Sequence, residues 1–234
     1  MASALADRVA GPPRPLAQTF AAIYHRNAWG DAESRSGGGS TQARAADFLV
    51  DLLALCRSLD VRSIVDVPCG DFNWARPLAD AVDRYTGIDI VPDLIARNQA
   101  AHGSETRSFL VGDLTHGPLP PADLVLCRDC LVHLSLDDAV AALDQLVGSP
   151  SRYLVLTTFV DEPDNRDIRS GGWRPLNLER PPFGLPPPAF QVDERCMHSG
   201  GRYRDKRLAV WETATLAATL ATGVTGRERG LHES

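Results

Sequence analysis

Two short β-branched runs constrain this chain more than anything else in it: Arg62-Ser-Ile-Val-Asp-Val-Pro-Cys-Gly-Asp71 and Tyr85-Thr-Gly-Ile-Asp-Ile90. Each is apolar and ends in an acidic residue, and the first opens into a tight turn at Gly70. Asp89 follows Asp66 by twenty-three positions. Strand, turn, helix and a second strand with a terminal carboxylate are how a parallel α/β sheet builds a nucleoside site, the carboxylate reaching a ribose.

The rest of the chain keeps that rhythm. Helical spacing from Ala17 to Tyr24 and from Thr41 to Ser58 precedes the first strand, Ser63 to Val67. A helix near Trp74 to Val82, a strand from Tyr85 to Ile90 and a helix from Pro92 to His102 follow. Then come the strand Ser108 to Val111, the turn Gly112-Asp-Leu, the strand Ala122 to Cys127, a helix Leu136 to Val147 capped by Ser135, and the strand Tyr153 to Phe159. Late strands near Phe190 to Asp193 and Arg207 to Trp211 suit an antiparallel hairpin on the sheet edge, and Thr213 to Ala221 is helical. The expected fold is α/β: a Rossmann-like, doubly wound, mostly parallel seven-stranded sheet with an antiparallel edge hairpin and an N-terminal helical lid.

One domain over residues 17–221 is expected, with residues 1–16 as a lead-in and 222–234 as a tail. Residues 17–60 form the lid and first helix of that domain. Residues 160–188 are a proline-dense insertion too long for a simple connection, which marks a substrate loop. The stretch Tyr24 to Ser40 is polar and ends in Gly-Gly-Gly-Ser, as a flexible linker would. Tyr24 and Trp29 argue instead for a lid that meets a ligand.

Composition narrows the partners. With 44% hydrophobic and 23% charged residues over 234 positions, the chain has an ordinary globular composition. A net charge of −6 and no basic block weigh against a nucleic-acid partner, which would demand phosphate neutralisation. No apolar run approaches the ~20 residues that span a bilayer, and Met1 to Leu16 lacks a signal-peptide core. A cytoplasmic enzyme with no membrane partner is the expectation. Five scattered cysteines suit reduced thiols. Cys127-Arg-Asp-Cys130 has no second pair at zinc spacing and reads best as small residues packed behind a strand end.

The turn after the first strand selects the ligand. A dinucleotide fold wants three glycines there so that helix N–H groups meet a pyrophosphate. This turn has Gly70 alone, and Asp71 sets a negative charge where phosphate would sit. NAD and ATP are therefore disfavoured. A nucleoside with a positive group fits, and S-adenosylmethionine (SAM) is that molecule.

Asp66-Val-Pro-Cys-Gly-Asp71, Asp89, Gly112-Asp-Leu114 and Cys127-Arg-Asp-Cys-Leu-Val-His133 resemble motifs of the class I SAM-dependent methyltransferases, with Pro68 and Phe72 in place of the outer glycines of the first motif. The resemblance implies that Asp66 and Gly70 line the methionine part, that Asp89 binds ribose and that Asp113 meets the adenine amino group. It extends the cofactor set to Trp29, Ser36, Ser40, Cys69, Asp71, Asn73, Trp74, Ile90, Leu114 and Arg128. Trp29-Gly-Asp-Ala-Glu-Ser-Arg-Ser-Gly-Gly-Gly-Ser40, Cys69-Gly-Asp-Phe-Asn-Trp74, Asn165-Arg-Asp-Ile168 and Trp173-Arg-Pro-Leu-Asn-Leu178 resemble one bacterial subgroup of that class. It includes the mycobacterial sugar 1-O-methyltransferase of methylmannose polysaccharide synthesis.

A sugar hydroxyl is a poor nucleophile, so a base should stand at the carboxyl end of a central strand. His133 and Asp129 are the catalytic candidates, four positions apart and on one face if the segment turns helically. The plain alternative for His133 is a histidine that holds its loop; for Asp129, a carboxylate that orients His133 or meets the cofactor. His198 and His25 are less favoured. Tyr24, Asn165, Asp167, Trp173, Arg174 and Asn177 are the acceptor candidates, since hydroxyls need polar partners and sugar C–H faces need an aromatic platform. Asp129 with Asp161 or Asp164 and Asn165 could supply oxygens to Mg²⁺, but no metal is assigned. The expected activity is SAM-dependent O-methylation of a sugar or oligosaccharide. Its rivals are a carboxylate or amine acceptor, and a fold that binds a partner without catalysis. A homodimer is conceivable if the proline-rich segment and late strands cover a neighbour's site.

Overall fold

The computed structural model describes residues 15–197 and 199–229. His198, residues 1–14 of the lead-in and residues 230–234 of the tail lie outside the described residues. In chain order the elements are α1 (Leu16–Arg26), α2 (Gln42–Ser58), β1 (Ser63–Asp66), α3 (Arg76–Asp80), β2 (Arg84–Asp89), α4 (Pro92–His102), β3 (Arg107–Val111), β4 (Ala122–Cys127), α5 (Leu136–Val147), β5 (Ser151–Phe159), β6 (Phe190–Asp193), β7 (Lys206–Glu212) and α6 (Thr213–Arg229). The strands form one seven-stranded sheet in the order β3-β2-β1-β4-β5-β7-β6. Strands β1 to β5 are parallel, and β7 pairs antiparallel with both β5 and β6. This is the Rossmann-like sheet with an antiparallel edge hairpin that the sequence predicts. Its strand order reverses between β1 and β4, where open α/β sheets bind ligands.

The two-residue period of the strands divides the core into two layers. On one face Ile64, Leu124, Leu126, Val155, Leu208 and Val210 pack under α2, α3 and α4. On the other, Val65, Val125, Cys127, Leu154, Leu156 and Ala209 pack under α5 and α6. The segment between β5 and β6 has no regular structure, yet Leu176, Leu178, Phe183 and Leu185 bury in the second layer. It is a packed strap rather than a free loop.

The described elements shift several expected boundaries. Helix α1 begins at Leu16, straight after Pro15, so the lead-in is shorter by one residue. Helix α3 covers only Arg76–Asp80, because Trp74 and Ala75 turn into the core before it starts. Helix α6 runs on to Arg229 through what was read as tail, since no proline stops it.

Two residues show how the β1 turn is held. Phe72 stands where the methyltransferase motif has its third glycine and adopts φ +57°, a glycine-like conformation. Its fully buried ring packs against Tyr85 and Phe109, at centroid distances of 5.1 Å each, and this burial offsets the backbone strain. Phe72→Ala is expected to cost about 3–5 kcal/mol. Phe72→Gly should cost no more than Phe72→Ala, since glycine accepts this φ freely, and urea unfolding of both variants checks the order.

Asp66, at the end of β1, is 1% exposed and accepts a 2.5 Å hydrogen bond from the Tyr85 hydroxyl. Burial pushes its pKa up to about 7, against the opposing pulls of Tyr85 and Arg128. The folded state therefore keeps a proton that the unfolded chain gives up above the ordinary 3.8. Stability from this group is full below about pH 4 and is lost as pH rises through 7. Relative to wild type, Asp66→Asn should gain on the order of 3 kcal/mol between acid and neutral pH. Paired urea titrations at the two pH values measure it, and parallel pH profiles would contradict the assignment.

Candidate active site

A cavity of about 430 Å³ opens at the carboxyl ends of β1, β2 and β4, a size ordinary for a cofactor or metabolite site. Its inner wall is the turn Val67 to Gly70, the end of β2 at Asp89 and Ile90, and the turn Gly112 to Thr115. Its cover comes from α1, through Leu16, Phe20 and Tyr24, and from the glycine-rich stretch that follows. The third side is set by the residues after β4, the strap and the start of β7.

Asp89 is 7% exposed, and its two oxygens accept N–H bonds from Gly70 at 3.2 Å and Val91 at 3.0 Å. Burial raises its pKa to about 6, although these donors favour the charge. A carboxylate has about four acceptor positions, so these donors leave Asp89 capacity for the hydroxyls of a ligand. Gly70 adopts φ +52°, and a Cβ there would stand 2.3 Å from the Ser36 hydroxyl. The glycine is required because the lid closes onto the turn at this point. Asp113 lines the same wall with one oxygen engaged by Thr115, whose hydroxyl lies at 2.7 Å. The wall offers carboxylates and no run of phosphate-binding amides, which fits a cationic nucleoside such as SAM better than a phosphate ester.

Opposite this wall lies a buried cluster of four charges. The Arg128 guanidinium sits over Phe48 at 4.6 Å and Trp74 at 5.1 Å, and donates to Glu194 at 2.6 Å and to the Gly39 carbonyl at 3.1 Å. Lys206 on β7 reaches Asp129 at 2.7 Å and Glu194 at 3.1 Å. Burial would raise the Asp129 pKa, but Lys206 and Arg128 outweigh it and hold the carboxyl well below the usual range. Asp129 itself adopts φ +53° and is pinned by its N–H to Thr157 at 2.9 Å.

His133 closes a short 3-10 turn, Leu131–His133. Its Nδ1 lies 2.7 Å from the Gly172 carbonyl. A carbonyl only accepts, so Nδ1 carries the proton and Nε2 keeps its lone pair. Burial lowers the imidazole pKa, with the Gly172 bond and the Asp129 charge opposing that shift. The ring stacks on Trp29 at 4.7 Å. Beyond it, Phe159, Trp173 and Tyr203 meet edge to face at 4.9 to 6.0 Å.

The structure therefore gathers much of the expected set. Trp29, Ser36, Ser40, Cys69, Gly70, Trp74, Asp89, Ile90, Asp113, Leu114, Arg128, Asp129, His133, Tyr24 and Trp173 line the one cavity. It leaves seven elsewhere. Asp66 faces Tyr85, as described. Asp71 and Asn73 bind the lid: Asp71 takes the Ser34 hydroxyl, and Asn73 takes Glu33 and the Ser40 carbonyl. Asn165 donates to the carbonyls of Asn177 and Pro181 at 2.8 Å each, and Asn177 donates to Val160 and Glu162. Arg174 bonds the Leu131 carbonyl, and Asp167 accepts the first N–H of α5 from Leu136. Asn165 and Asn177 thus brace the strap internally, while Arg174 and Asp167 hold it to the body. Among the described residues no group of three or more His, Cys, Asp or Glu side chains is placed to hold a metal ion.

Sequence reasoning missed Lys206, Glu194, Phe159, Tyr203, Arg35 and Arg44. Lys206 carried a signal, being the only lysine in a chain with 24 basic residues. Arg35 lay within the quoted stretch Trp29 to Ser40, while Glu194, Phe159, Tyr203 and Arg44 carried no signal, because the fold brings them from separate segments.

Residues 64–148, from β1 through α5, match the methyltransferase domain family. The malonyl-[acyl-carrier protein] O-methyltransferase of Serratia marcescens is 30% identical over 142 residues, 58% of this chain and 54% of that one. An uncharacterized methyltransferase of Mycobacterium tuberculosis is 30% identical over 131 residues, 54% of this chain and 62% of that one. The chain thus spans little more than half the length of these curated relatives. Among solved structures, PigF with SAH shares the fold at a TM-score of 0.51 and 15% identity, covering 72% of this chain and 55% of that one. The core from β1 to the end of α5 matches a methyltransferase domain, and match and fold together support a class I SAM-dependent methyltransferase.

Proposed function

We propose that this chain moves the methyl group of SAM to a hydroxyl of a sugar or oligosaccharide, the 1-OH of a methylated mannoside being the acceptor its motifs favour. The observation that carries the reading is His133. Its Nδ1–H is tied to Gly172, its Nε2 is free to accept a proton, and it lines the same cavity as Asp89. Bound SAM supplies an electrophilic methyl on a sulfonium. Asp89 binds the ribose hydroxyls and Asp113 the adenine amino group. The cavity walls hold the acceptor oxygen behind the methyl, and orientation of this kind is worth up to ~7–11 kcal/mol. His133, neutral at physiological pH because burial lowers its pKa, would take the hydroxyl proton at Nε2 as the oxygen–carbon bond forms and the sulfur–methyl bond breaks, S-adenosylhomocysteine being the leaving group. Asp129 is too firmly ionised to serve as that base; it orients the acceptor by taking a hydrogen bond from a neighbouring hydroxyl.

Trp29, Trp173 and Tyr203 support a carbohydrate, offering aromatic faces to its C–H surfaces next to the polar His133, Asp129 and Lys206. A second reading, a carboxyl acceptor, draws on Arg35 and Arg44 in the same lining and on the likeness to a malonyl-[acyl-carrier protein] O-methyltransferase. The reading keeps a cytoplasmic enzyme without a nucleic-acid partner, and a homodimer as its assembly. Among the described residues no helix is long and apolar enough to cross a membrane.

His133→Gln should bind S-adenosylhomocysteine (SAH) within about threefold of wild type and lose about 10²–10⁴-fold in transfer rate. Mass spectrometry of products from sugar, carboxylate and amine acceptors decides between the two readings, and wild-type turnover in the variant would remove His133 from its role. Asp89 must be ionised to accept two hydroxyls, so SAH affinity should fall as pH drops through about 6. Calorimetry from alkaline to acid pH tests this, with Asp89→Asn weak and flat across the range.

A further inference from the structure

Six consecutive residues of the lid, Arg35 to Ser40, line the cavity. Three are glycines, and such a segment has little means of holding one conformation by itself. Nor does it bury apolar side chains. What fixes it must come from outside, and most of it comes from the turn after β1.

Asp71 supplies four of the contacts. The Ser34 hydroxyl lies 3.0 Å from each carboxylate oxygen, and the Arg35 N–H donates to the carboxylate at 2.8 Å. In return the Asp71 N–H donates to the Ser36 hydroxyl at 2.9 Å. The Ser34 oxygen also accepts the Ser36 N–H at 3.2 Å, so the three lid residues and the aspartate form one network. Asn73 and Arg128 hold the far end, at the Ser40 and Gly39 carbonyls. Gly70 lets the two backbones approach, its missing Cβ being the space that the Ser36 hydroxyl occupies. Asp71 is half-buried and does not itself line the cavity.

We propose that Asp71 is a lid-positioning residue: its carboxylate, acting through Ser34 and the Arg35 amide, and its own amide, acting through Ser36, set residues 34–40 as the outer wall of the cofactor end of the cavity. This rests on the reading of that cavity as a SAM site. Asp71 then governs how tightly the nucleoside is held without touching it. Charge-assisted bonds to the carboxylate are the strong members of the network, and neutralising it loosens the lid.

The test is a double-mutant cycle between Asp71 and Ser34, read in two ways on the full chain. Trypsin cleavage after Arg35, which is exposed on the lid, reports lid opening without any ligand. Calorimetry with SAH reports the cofactor site. Asp71→Ala should speed cleavage after Arg35 about tenfold and weaken SAH about tenfold, raising KM for SAM much more than it lowers kcat. Ser34→Ala should do part of the same, and the double variant should fall short of the sum of the two, because they share the Ser34–Asp71 contact. Full additivity would show that Asp71 acts on the ligand directly and would overturn the proposal, as would an unchanged cleavage rate in Asp71→Ala. Should Asp71→Ala fail to fold, Asp71→Asn and Ser34→Ala carry the same comparison. Absence of SAH binding in the wild type would instead remove the cofactor reading, and the cleavage rates alone would still decide whether Asp71 holds the lid.

Discussion

The Arg128 guanidinium is the point at which most of the site's parts meet. It lies between Phe48 of α2 and Trp74 of the β1 turn, donates to Gly39 of the lid, and pairs with Glu194 beyond β6 and with Asp129 beside it. Lys206 completes the group from β7, so two cations and two anions share one buried volume. Burying such charges costs several kcal/mol per ion unless they satisfy one another, and removing a single member leaves its partner uncompensated. The cluster therefore acts as a unit. It joins the parallel half of the sheet to its antiparallel edge at the place where the cavity needs a firm wall.

That arrangement also sets the chemistry. Because Lys206 and Arg128 keep Asp129 ionised, the acidic residue nearest the proposed reaction is a fixed negative charge and not a proton acceptor. In the proposed mechanism the task of accepting a proton falls to His133, whose tautomer is imposed by a carbonyl of the strap. The strap in turn is held by Asn165, Asn177 and Arg174, and it is zipped to the loop after β4 by the Gly171 N–H on His133 and the Arg174 N–H on Val132. Residues that looked like substrate contacts thus serve the base by fixing its partner. Positioning of this kind is as demanding as contact, since small displacements at a reacting centre cost rate steeply.

Legibility followed the range of the interactions. Strand alternation, helix starts at Ser135 and Pro92, and Asp89 at the end of β2 are local features, and each stands where the sequence predicts it. The β1 turn was legible as a departure from three glycines, yet its resolution was not: Phe72 keeps the glycine-like backbone and is held there by rings from β2 and β3. Asp71 was expected at the cofactor, yet its carboxylate faces the lid, and its partner there was not foreseeable. Ser34 lies thirty-seven positions earlier, in a stretch whose composition suggests a linker.

By itself, the sequence determined the doubly wound parallel sheet and the acidic residue that ends its second strand, because periodicity and turn chemistry act over a few residues. The tertiary structure decided which polar groups face the cavity and which face each other. It turned Asp66 and Asp71 inward to Tyr85 and Ser34, tied Asn165 and Asn177 into the strap, and brought Lys206 and Glu194 to Asp129 and Arg128. The reason is physical: a buried polar group must find a partner, and which partner it finds depends on what the sheet sets beside it.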